Sequence, residues 1–360
     1  MNSQLGRNAG FRPANTARRR EGKLLKAYRF DSFGGFENLN LHDEVQPTAR
    51  PGEVVVKVEA IALNYRDVAI ATGSHPVRHQ AGLIPTSDAA GTVVEVGDGS
   101  PLAVGDRVVS AFHPRWFGGR IEEGFEQLQY GTGQDGWLAE YKAVSADSVV
   151  SIPNSLSSVD AATLPTAGLT AWTALSGPDP IRSGHSVLTM GTGGVSLFAI
   201  QLAAASGARV IATTSRDSKT ERLKDLGADE VINYRTNPDW GIAARTLNWN
   251  SGVDRVVEVG GAATMEQSLK AIAPGAEVAL VGFLAGSQSS ISFVNLWQSH
   301  ANIRLVRVGD RAALAGLVKA VASSGLKPTI DSCFPFTEAR AAFEHLEAGD
   351  VFGKVVVTIP

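Results

Sequence analysis

The chain has 360 residues, of which 44% are hydrophobic and 19% are charged, and its formal net charge is −3. This length is too great for one small hydrophobic core, so we expect two domains. The slightly negative charge argues against nucleic acid as the main partner. The single cysteine, Cys333, excludes an intrachain disulfide and a zinc lobe built from four thiolates. Cys333 itself is predicted to be a small buried residue.

Residues 1–22 are interpreted as a disordered extension of a cytoplasmic protein. This segment is rich in arginine and has no acid before Glu21, which is also typical of a transit peptide for organellar import. We favour the simple extension because aliphatic residues are too sparse for a good amphipathic helix. An uncharged stretch over 186–208 is long enough to suggest a membrane span. Its glycines favour a strand, a turn and a buried helix instead, so no membrane partner is expected.

Hydrophobic patterning divides the rest of the chain into three parts. Residues 23–155 contain short β-branched runs punctuated by Gly and Asp, which predict an antiparallel β-rich domain. Over 156–325, apolar strand-like runs alternate with helix-like stretches, which predicts an α/β fold with a doubly wound parallel sheet of the Rossmann type. Residues 326–360 end in the strand-like run "GKVVVTI" and are expected to return to the first domain.

A glycine-rich sequence, "VLTMGTGGVSLFAIQ" over 187–201, lies between a predicted strand and a predicted helix. Its first glycine permits a tight turn, and its second lets the backbone approach a pyrophosphate whose charge then faces the helix N-terminus. Ser196 replaces the last glycine of the usual fingerprint but is small enough for close helix packing. The alternative is an ordinary glycine turn. We predict a dinucleotide site formed by Gly191, Gly193, Gly194 and Val195.

The next predicted strand indicates which dinucleotide is bound. An NAD site usually has Asp or Glu about 20 residues after the glycines, to bind the ribose 2′-hydroxyl. Here no acid appears before Asp217, which is expected to begin a helix. The alternative is that the basic residues in this stretch are only solvated charges. We predict NADPH rather than NADH, with its 2′-phosphate bound by Ser215, Arg216 and Lys219, and Thr214 as a further cofactor-binding residue.

Several segments, in this order, resemble the medium-chain dehydrogenase/reductase superfamily. They include "GEVVVKVEAIALNYRD" (52–67), "AAGTVVEVGDGSPLAVGDRVV" (89–109), "LPTAGLTAWTAL" (164–175) and "FGKVVV" (352–357). The resemblance covers nearly all of the chain from residue 24. It implies a GroES-like catalytic domain, a Rossmann domain and an NAD(P)H-dependent oxidoreductase.

That superfamily contains zinc-dependent and zinc-free members. Its zinc alcohol dehydrogenases have metal ligands at positions matched here by Asn64, Ser87 and Thr166. None of these is a strong zinc ligand, since zinc prefers thiolate, imidazole or carboxylate. His75 and His79 have a metal-like spacing, but a proline lies between them, so we do not predict a metal site there. The chain is therefore similar to the zinc-free quinone oxidoreductases and enoyl reductases.

The predicted catalytic residues lie in the sequence "NYRD". Without zinc as a Lewis acid, conjugate reduction of an enone or quinone is easier than oxidation of an alcohol. Charge then develops on a carbonyl oxygen, which hydrogen-bond donors can stabilise. Asn64 could donate to that oxygen or to the nicotinamide ribose, Tyr65 could donate or relay a proton, and Arg66 could pair with the developing charge. The alternatives are that Tyr65 only packs and that Asp67 is a structural partner of Arg66.

The resemblance implies further contacts with the cofactor. Thr166 matches a position beside the nicotinamide, or else it only helps to start a helix with Thr170. Tyr234 matches a tyrosine that closes over the 2′-phosphate, although it could be a plain aromatic at a strand end. Lys354 lies near the active site in the family pattern, although a lysine at a strand edge is the simpler interpretation.

Two glycines and one loop complete the predicted site. Gly260 and Gly282 follow predicted strands, where the cofactor crevice of such a sheet opens. His113 and Trp116 lie on a loop that is expected to form the mouth for a small-molecule substrate. Members of the superfamily often dimerise by joining their last Rossmann strands, and "ANIRLVRVG" is a suitable edge, so we expect a homodimer. A metal-free alcohol dehydrogenase and a non-catalytic NADPH-binding sensor or structural protein remain alternatives.

Overall fold

Two structural units are present, and they differ in the direction of their strands. None of the described helices is long and apolar enough to cross a membrane. The predictions for the N-terminal extension and for His79 fall outside the described part of the chain. The computed structural model describes residues 23–77, 80–282, 284 and 291–360.

The first unit, called the antiparallel unit below, contains a two-stranded ribbon and a seven-stranded sheet. The ribbon consists of β1 (Leu24–Phe30) and β2 (Leu39–Val45). The sheet consists of β3 (Glu53–Leu63), β4 (Asp88–Val96), β5 (Arg107–Ser110), β6 (Tyr141–Ser145), β7 (Val149–Ser151), β14 (Ile330–Pro335) and β15 (Lys354–Thr358). Its order is β14-β15-β3-β4-β5-β7, and β6 also pairs with β3. The C-terminal strands therefore complete a sheet that the N-terminal half begins.

The second unit, called the parallel unit below, is built on a six-stranded sheet in the order β10-β9-β8-β11-β12-β13. Strand order reverses between β8 and β11, and in such sheets the ligand crevice opens there, beyond the carboxyl ends of the strands. The predicted fold class is confirmed. The strands are β8 (Ser186–Met190), β9 (Arg209–Thr214), β10 (Glu230–Asn233), β11 (Val253–Glu258), β12 (Ile272–Leu280) and β13 (Asn302–Leu305).

Helices cover the parallel sheet and close one end of the antiparallel unit. Gly207 follows α4 with φ +76°, and Gly227 follows α5 with φ +108°. Both glycines therefore end helices with a positive φ, which glycine adopts readily. The helices are α1 (Tyr65–Ala71), α2 (Ser158–Ala162), α3 (Leu169–Ser176), α4 (Gly194–Ala205), α5 (Thr220–Asp225), α6 (Trp240–Leu247), α7 (Met265–Ala271), α8 (Phe293–Ser299), α9 (Arg311–Ser324) and α10 (Ala339–Glu347).

The hydrophobic core of the parallel unit continues into the antiparallel unit. Ala60 and Ala62 on β3 and Ala90 on β4 belong to the same buried cluster as the central strands β8 and β11. A second cluster fills the interior of the antiparallel unit, where Phe30 and Phe343 meet edge to face. The shared cluster fixes the two units against each other, so residues from both can form one site.

The prediction that Cys333 is buried is wrong. Its side chain is exposed on β14. Among the described strands, β14 lies at the edge of the seven-stranded sheet, where it pairs with β15. An edge strand has one unpaired side, so even a small apolar residue on it can face solvent.

Candidate active site

The glycine loop, residues 191–195, connects β8 to α4 and leaves its backbone open. Gly191 has φ +74°, which only glycine adopts readily. A methyl group added at Gly193 would have no atom within 4 Å. Open backbone at the N-terminus of a long helix suits a phosphate group, so this loop fits the pyrophosphate of a dinucleotide.

Ser196 does more than fit the place of the third glycine. Its hydroxyl is buried and donates to the carbonyl oxygen of Met190 at 2.6 Å. This bond ties the first turn of α4 to the last residue of β8. The tight strand–helix packing that glycine usually permits is obtained here by a hydrogen bond.

Gly194 makes room for protein atoms as well. A methyl group there would lie 2.6 Å from Cδ of Lys354 and 3.1 Å from Cβ of Ala167. The Lys354 side chain runs past this glycine and is buried, with 3% of its surface exposed. It begins β15, an interior strand between β14 and β3, so the simple strand-edge interpretation of Lys354 is wrong. The predicted contact between Gly194 and cofactor remains a prediction.

Lys354 joins the glycine loop to Asn64. Its ammonium group donates to the Leu63 carbonyl oxygen and to Oδ1 of Asn64, the latter at 2.6 Å. Because an ammonium can only donate, this contact fixes the carbonyl side of the Asn64 amide toward Lys354. The NH2 side must then face the other way.

The NH2 group of Asn64 and Oδ1 of Asp67 are two buried polar groups in this region that lack a partner within the described chain. Asn64 is 8% exposed, and its Nδ2 has no hydrogen-bond partner within the described chain. Buried donors are nearly always paired, so an orphan donor needs an explanation. An oxygen of a substrate or of a cofactor ribose would satisfy it. The position of Asn64 itself is held by its backbone N–H, which donates to Oδ2 of Asp67 at 2.8 Å.

Asp88 accepts hydrogen bonds from Ser87 and Thr166, the two other residues at positions that match zinc ligands. Its carboxylate accepts from the Thr166 hydroxyl at 2.6 Å, from the Thr166 backbone N–H at 2.9 Å and from the Ser87 hydroxyl at 2.6 Å. The two hydroxyl oxygens are 3.4 Å apart. Asp88 was not predicted as a site residue. Its signal in the sequence is an acid at the start of the apolar run "DAAGTVV".

These residues form the polar cluster, which consists of Asn64, Asp67, Ser87, Asp88, Thr166 and Lys354. Burial raises the pKa of Asp67 to about 6, against the opposing effect of Arg66. Burial also lowers the pKa of Lys354, against the opposing effects of the Asp88 and Asp67 carboxylates. The cluster therefore holds two acids around one buried amine, which makes its charges mutually dependent.

Arg66 and Tyr65 lie outside this cluster. The guanidinium of Arg66 donates to the Tyr130 carbonyl oxygen at 3.2 Å and to the Thr132 hydroxyl, and it stacks 4.8 Å from the centre of the Phe112 ring. Within the described chain it forms no ion pair with Asp67, contrary to the suggested partnership. Tyr65 is 56% exposed at the first residue of α1. The catalytic roles of both residues remain predictions.

The predicted 2′-phosphate residues lie beside the glycine loop. Lys219 donates to the hydroxyl of Thr192 at 3.1 Å. Arg216 forms an ion pair with Asp350 at 2.7 Å, a contact that the sequence did not suggest. Thr214 ends β9 and is buried, and the Tyr234 backbone N–H donates to its carbonyl oxygen at 3.0 Å.

The remaining residues that are predicted to contact the cofactor differ in how tightly they are packed and how exposed they are. Gly260 and Gly282 follow β11 and β12, at the carboxyl edge of the sheet that also carries the glycine loop. A side chain at Gly260 would collide with Thr264, and one at Gly282 would lie 3.1 Å from the Val259 carbonyl oxygen. Other predicted contacts differ in exposure: Thr170 is buried in α3, whereas Val195, Ser215 and the Tyr234 ring are partly or largely accessible.

The loop carrying His113 is aromatic. The His113 ring packs against Phe112, Trp116 and Phe125, with ring centres 4.6, 5.4 and 4.9 Å away. Its Nε2 contacts the Arg307 carbonyl oxygen at 3.1 Å, and burial lowers its pKa to about 4. The ring is therefore neutral at pH 7 and donates from Nε2. A cavity of about 150 Å³ borders His113, Trp116 and Phe125.

Metal ligands are not clustered in the described ranges. No group of three or more His, Cys, Asp or Glu side chains there could hold a metal ion.

Comparison with known proteins gives two family models and close relatives of full length. A model described as zinc-binding dehydrogenase matches residues 194–323, and an alcohol dehydrogenase GroES-like domain matches residues 50–154. A zinc-type alcohol dehydrogenase-like protein of Schizosaccharomyces pombe is 35% identical, over 91% of this chain and 97% of that protein. A chloroplastic quinone oxidoreductase of Triphysaria versicolor is 32% identical, over 93% of this chain and 99% of that protein.

Solved structures are similar over the same extent. An NAD-dependent alcohol dehydrogenase has a TM-score of 0.85 and 33% identity, covering 93% of this chain and 100% of that chain. A mycobacterial protein complexed with NADPH has a TM-score of 0.77 and 29% identity, covering 93% of this chain and 99% of that chain. The similar proteins thus include named alcohol and quinone enzymes, and both forms of the nicotinamide cofactor.

Proposed function

Since the chain belongs to the medium-chain dehydrogenase/reductase superfamily, we propose that it reduces a conjugated carbonyl or a quinone with NADPH and without zinc. It is an NAD(P)H-dependent oxidoreductase. One observation supports the proposed reduction of a conjugated carbonyl or quinone. The buried Asn64 amide has a donor with no partner in the described chain, and Lys354 fixes the direction of that donor.

The chain's residues have separate tasks in this reaction. When bound, a reduced nicotinamide supplies a hydride. The backbone of Gly191 and Gly193 would hold the pyrophosphate, because the turn there is open. The Asn64 NH2 group donates to the substrate oxygen on which negative charge develops. Such a donor in a dry site is worth roughly 100- to 1000-fold in rate.

The reduced substrate also needs a proton. Tyr65 is more than half exposed, so its phenol can exchange protons with water. We propose that Tyr65 or a water molecule beside it supplies this proton. Arg66 is held by the carbonyl and hydroxyl groups of residues 130–132, so we propose that it shapes this side of the site and adds positive potential.

Zinc independence is proposed from the chemistry of the donor set. Of the three matched positions, Asn64 offers its amide oxygen to an ammonium ion 2.6 Å away. The hydroxyls of Ser87 and Thr166 both donate to Asp88. A zinc ion would have to compete with the Lys354 cation for the first and gains no thiolate or imidazole from the others.

The preference for NADPH is proposed from the basic pair beyond β9. Arg216 and Lys219 lie beside the glycine loop, where the adenosine ribose of a dinucleotide is expected. Each charge-assisted hydrogen bond to a phosphate contributes roughly 1.5–3 kcal/mol. Two of them would favour NADPH over NADH by on the order of 100-fold or more.

A second candidate is a metal-free alcohol dehydrogenase. The similarity to an NAD-dependent alcohol dehydrogenase favours it. In this reaction the Asn64 donor would face an alcohol oxygen and could not remove its proton. A base would then be needed, and Asp67, with a pKa of about 6, is bonded to the Asn64 backbone rather than placed at an open surface.

The deciding experiment combines turnover, cofactor titration and metal analysis. We expect oxidation of NADPH with a panel of quinones and enones, tighter binding of NADPH than of NADH, and no stoichiometric zinc. Oxidation of alcohols with NADP⁺ but no quinone or enone turnover would support the second candidate. Tight binding of NADPH without turnover on either panel would indicate a sensor or structural protein.

We also propose a homodimer that forms through β13 and α8. The side chains of Phe293, Trp297 and Leu305 are 81, 74 and 63% exposed, and β13 is an edge strand. An exposed apolar patch at a free edge favours pairing with a second copy. Sedimentation of the protein and of the Trp297→Asp variant tests this: we expect a dimer and a monomer respectively.

A cytoplasmic location is proposed as well. Imaging the full-length chain fused at its C-terminus to a fluorescent protein tests this, with the same fusion lacking residues 1–22 as the control. We expect the same diffuse distribution for both, and organellar import of the full-length fusion alone would contradict it.

A further inference from the structure

The basic residues expected to bind a 2′-phosphate already have a carboxylate partner. Asp350 lies 2.7 Å from a guanidinium nitrogen of Arg216 and 3.6 Å from the Lys219 ammonium. Asp350 lies between α10 and β15 and thus belongs to the antiparallel unit, whereas its partners follow β9 in the parallel unit. The contact therefore crosses between the two units at the edge of the crevice.

The same segment makes further contacts with this region. The Lys219 ammonium donates to the Val351 carbonyl oxygen at 3.3 Å. The Gly353 backbone N–H donates to the Thr192 carbonyl oxygen at 3.0 Å, and the Thr192 hydroxyl donates to Val351 at 3.2 Å. These backbone contacts hold residues 350–353 beside the glycine loop, so the position of Asp350 is set by the fold and not by its own charge.

We propose that Asp350 is a specificity-determining residue that competes with the 2′-phosphate of NADPH for Arg216. This inference rests on the proposed preference for NADPH. Both contacts of the Asp350 carboxylate with Arg216 are made to Nη1, so a phosphate that binds through this nitrogen displaces the carboxylate. NADH has no 2′-phosphate and leaves the pair intact. Asp350 therefore weakens the binding of NADPH but not that of NADH, which makes the difference between the two affinities smaller.

The expected effect of Asp350 on NADPH binding is small, because the ion pair is exposed to solvent. Asp350 and Arg216 have 57 and 50% of their side chains exposed, and exposed ion pairs are weak and screened by salt. The Arg216 contact lowers the pKa of the Asp350 carboxyl below its usual value. The backbone bonds of Val351 and Gly353 do not depend on that charge, so losing the ion pair leaves the segment in place.

The test is Asp350→Asn, with titration of NADPH and NADH by fluorescence at low and at high salt. Glu347→Gln is the matched control: it removes the same charge three residues away, from an exposed side chain, whereas the ion-pair partner of Arg216 is Asp350. We expect the Kd of NADPH to fall roughly two- to five-fold in Asp350→Asn at low salt, and less at high salt. The Kd of NADH should stay unchanged, and Glu347→Gln should change neither.

The outcomes separate this inference from the proposed function. If both the unmodified protein and Asp350→Asn bind the two cofactors equally, the phosphate site itself is wrong. If the unmodified protein prefers NADPH but Asp350→Asn leaves that preference unchanged or reduces it, the phosphate site stands and the role of Asp350 is wrong. An equal gain with Glu347→Gln would show a general charge effect and would likewise overturn it.

Discussion

The glycine loop and the polar cluster are joined by one side chain, Lys354, but they are built in opposite ways. At Gly193 the loop offers bare backbone, with no atom within 4 Å of an added methyl group. In the cluster, most polar side chains are held by other side chains and Asp67 is bonded to the Asn64 backbone, while the Asn64 NH2 group and Oδ1 of Asp67 have no partner among the described residues. Binding of a cofactor thus depends on empty space, whereas the proposed chemistry depends on a set of mutually bonded neighbours. The two regions should respond differently to the same kind of mutation.

The largest effect is expected from Asn64→Asp. This change keeps an oxygen for Lys354 to contact but replaces the free donor with an acceptor. We expect kcat/KM to fall by roughly 100- to 1000-fold. Cofactor affinity and thermal unfolding are measured alongside, to separate loss of chemistry from loss of binding or structure. Asn237→Asp, the same change at an exposed position, should leave kcat/KM unaltered, and a fall of only a few fold in Asn64→Asp would contradict the assigned role.

Asp67→Asn tests the electrostatics of the cluster through stability. The folded pKa of about 6 lies above the usual value of 3.8, so burial of the charged carboxylate destabilises the protein above pH 6. Stability is regained as the pH falls from about 6 toward 3.8, since the folded state then takes up the proton first.

The variant has no charge to bury at this site. It should therefore be more stable than the unmodified protein at pH 8, by up to about 3 kcal/mol, and its advantage should shrink toward pH 4. Urea denaturation of both proteins across this pH range measures the difference. A constant difference at all pH values would show that the Asp67 carboxyl titrates normally.

Adding a methyl group at Gly193 tests whether the open backbone of the glycine loop binds the dinucleotide. Gly193→Ala should weaken binding of the dinucleotide by roughly tenfold, because the methyl occupies space that the pyrophosphate needs. The protein itself should lose at most about 1 kcal/mol, the difference between Gly and Ala at the start of a helix. Gly316→Ala, in α9 and near only the Trp172 ring, should leave the Kd unchanged. Equal affinity for Gly193→Ala would place the cofactor elsewhere.

A methyl group added at Gly194, one residue later, should instead affect the polar cluster. Gly194→Ala puts an atom 2.6 Å from Cδ of Lys354, so that side chain must shift. Because Lys354 orients the Asn64 amide, we expect kcat to fall by roughly three- to tenfold, with a smaller change in cofactor affinity than in Gly193→Ala. Steady-state kinetics and titration of both variants give the comparison. An opposite pattern would mean that the two regions are not divided as described.

Much of the fold follows from patterns along the chain. The alternation of apolar strands and helices predicts the parallel sheet, and Gly191 has a positive φ in the turn that the glycine-rich sequence predicts. The C-terminal strand "KVVVT" pairs with β3 of the first sheet. The exact boundaries at 155 and 325, and the roles of the individual site residues, stay predictions.

Other features could not be read from the residues alone. The exposure of Cys333 depends on β14 being an edge strand, which no local pattern reveals. Asp350 lies 134 positions from Arg216, and nothing in either neighbourhood indicates that they meet. The same is true of Asp88 and Thr166, which are 78 positions apart.

The sequence by itself determined the class of fold and the glycine turn, because these depend on periodicity and on residue types within short segments, and its resemblance to a superfamily implied the type of chemistry. The tertiary structure decided that Lys354 is an interior residue, that its ammonium directs Asn64 and that Asp350 faces the basic pair. Those facts depend on which distant segments a sheet brings side by side. Strand pairing over hundreds of residues is set by the packing of the whole core, and a local pattern of side chains carries no record of it.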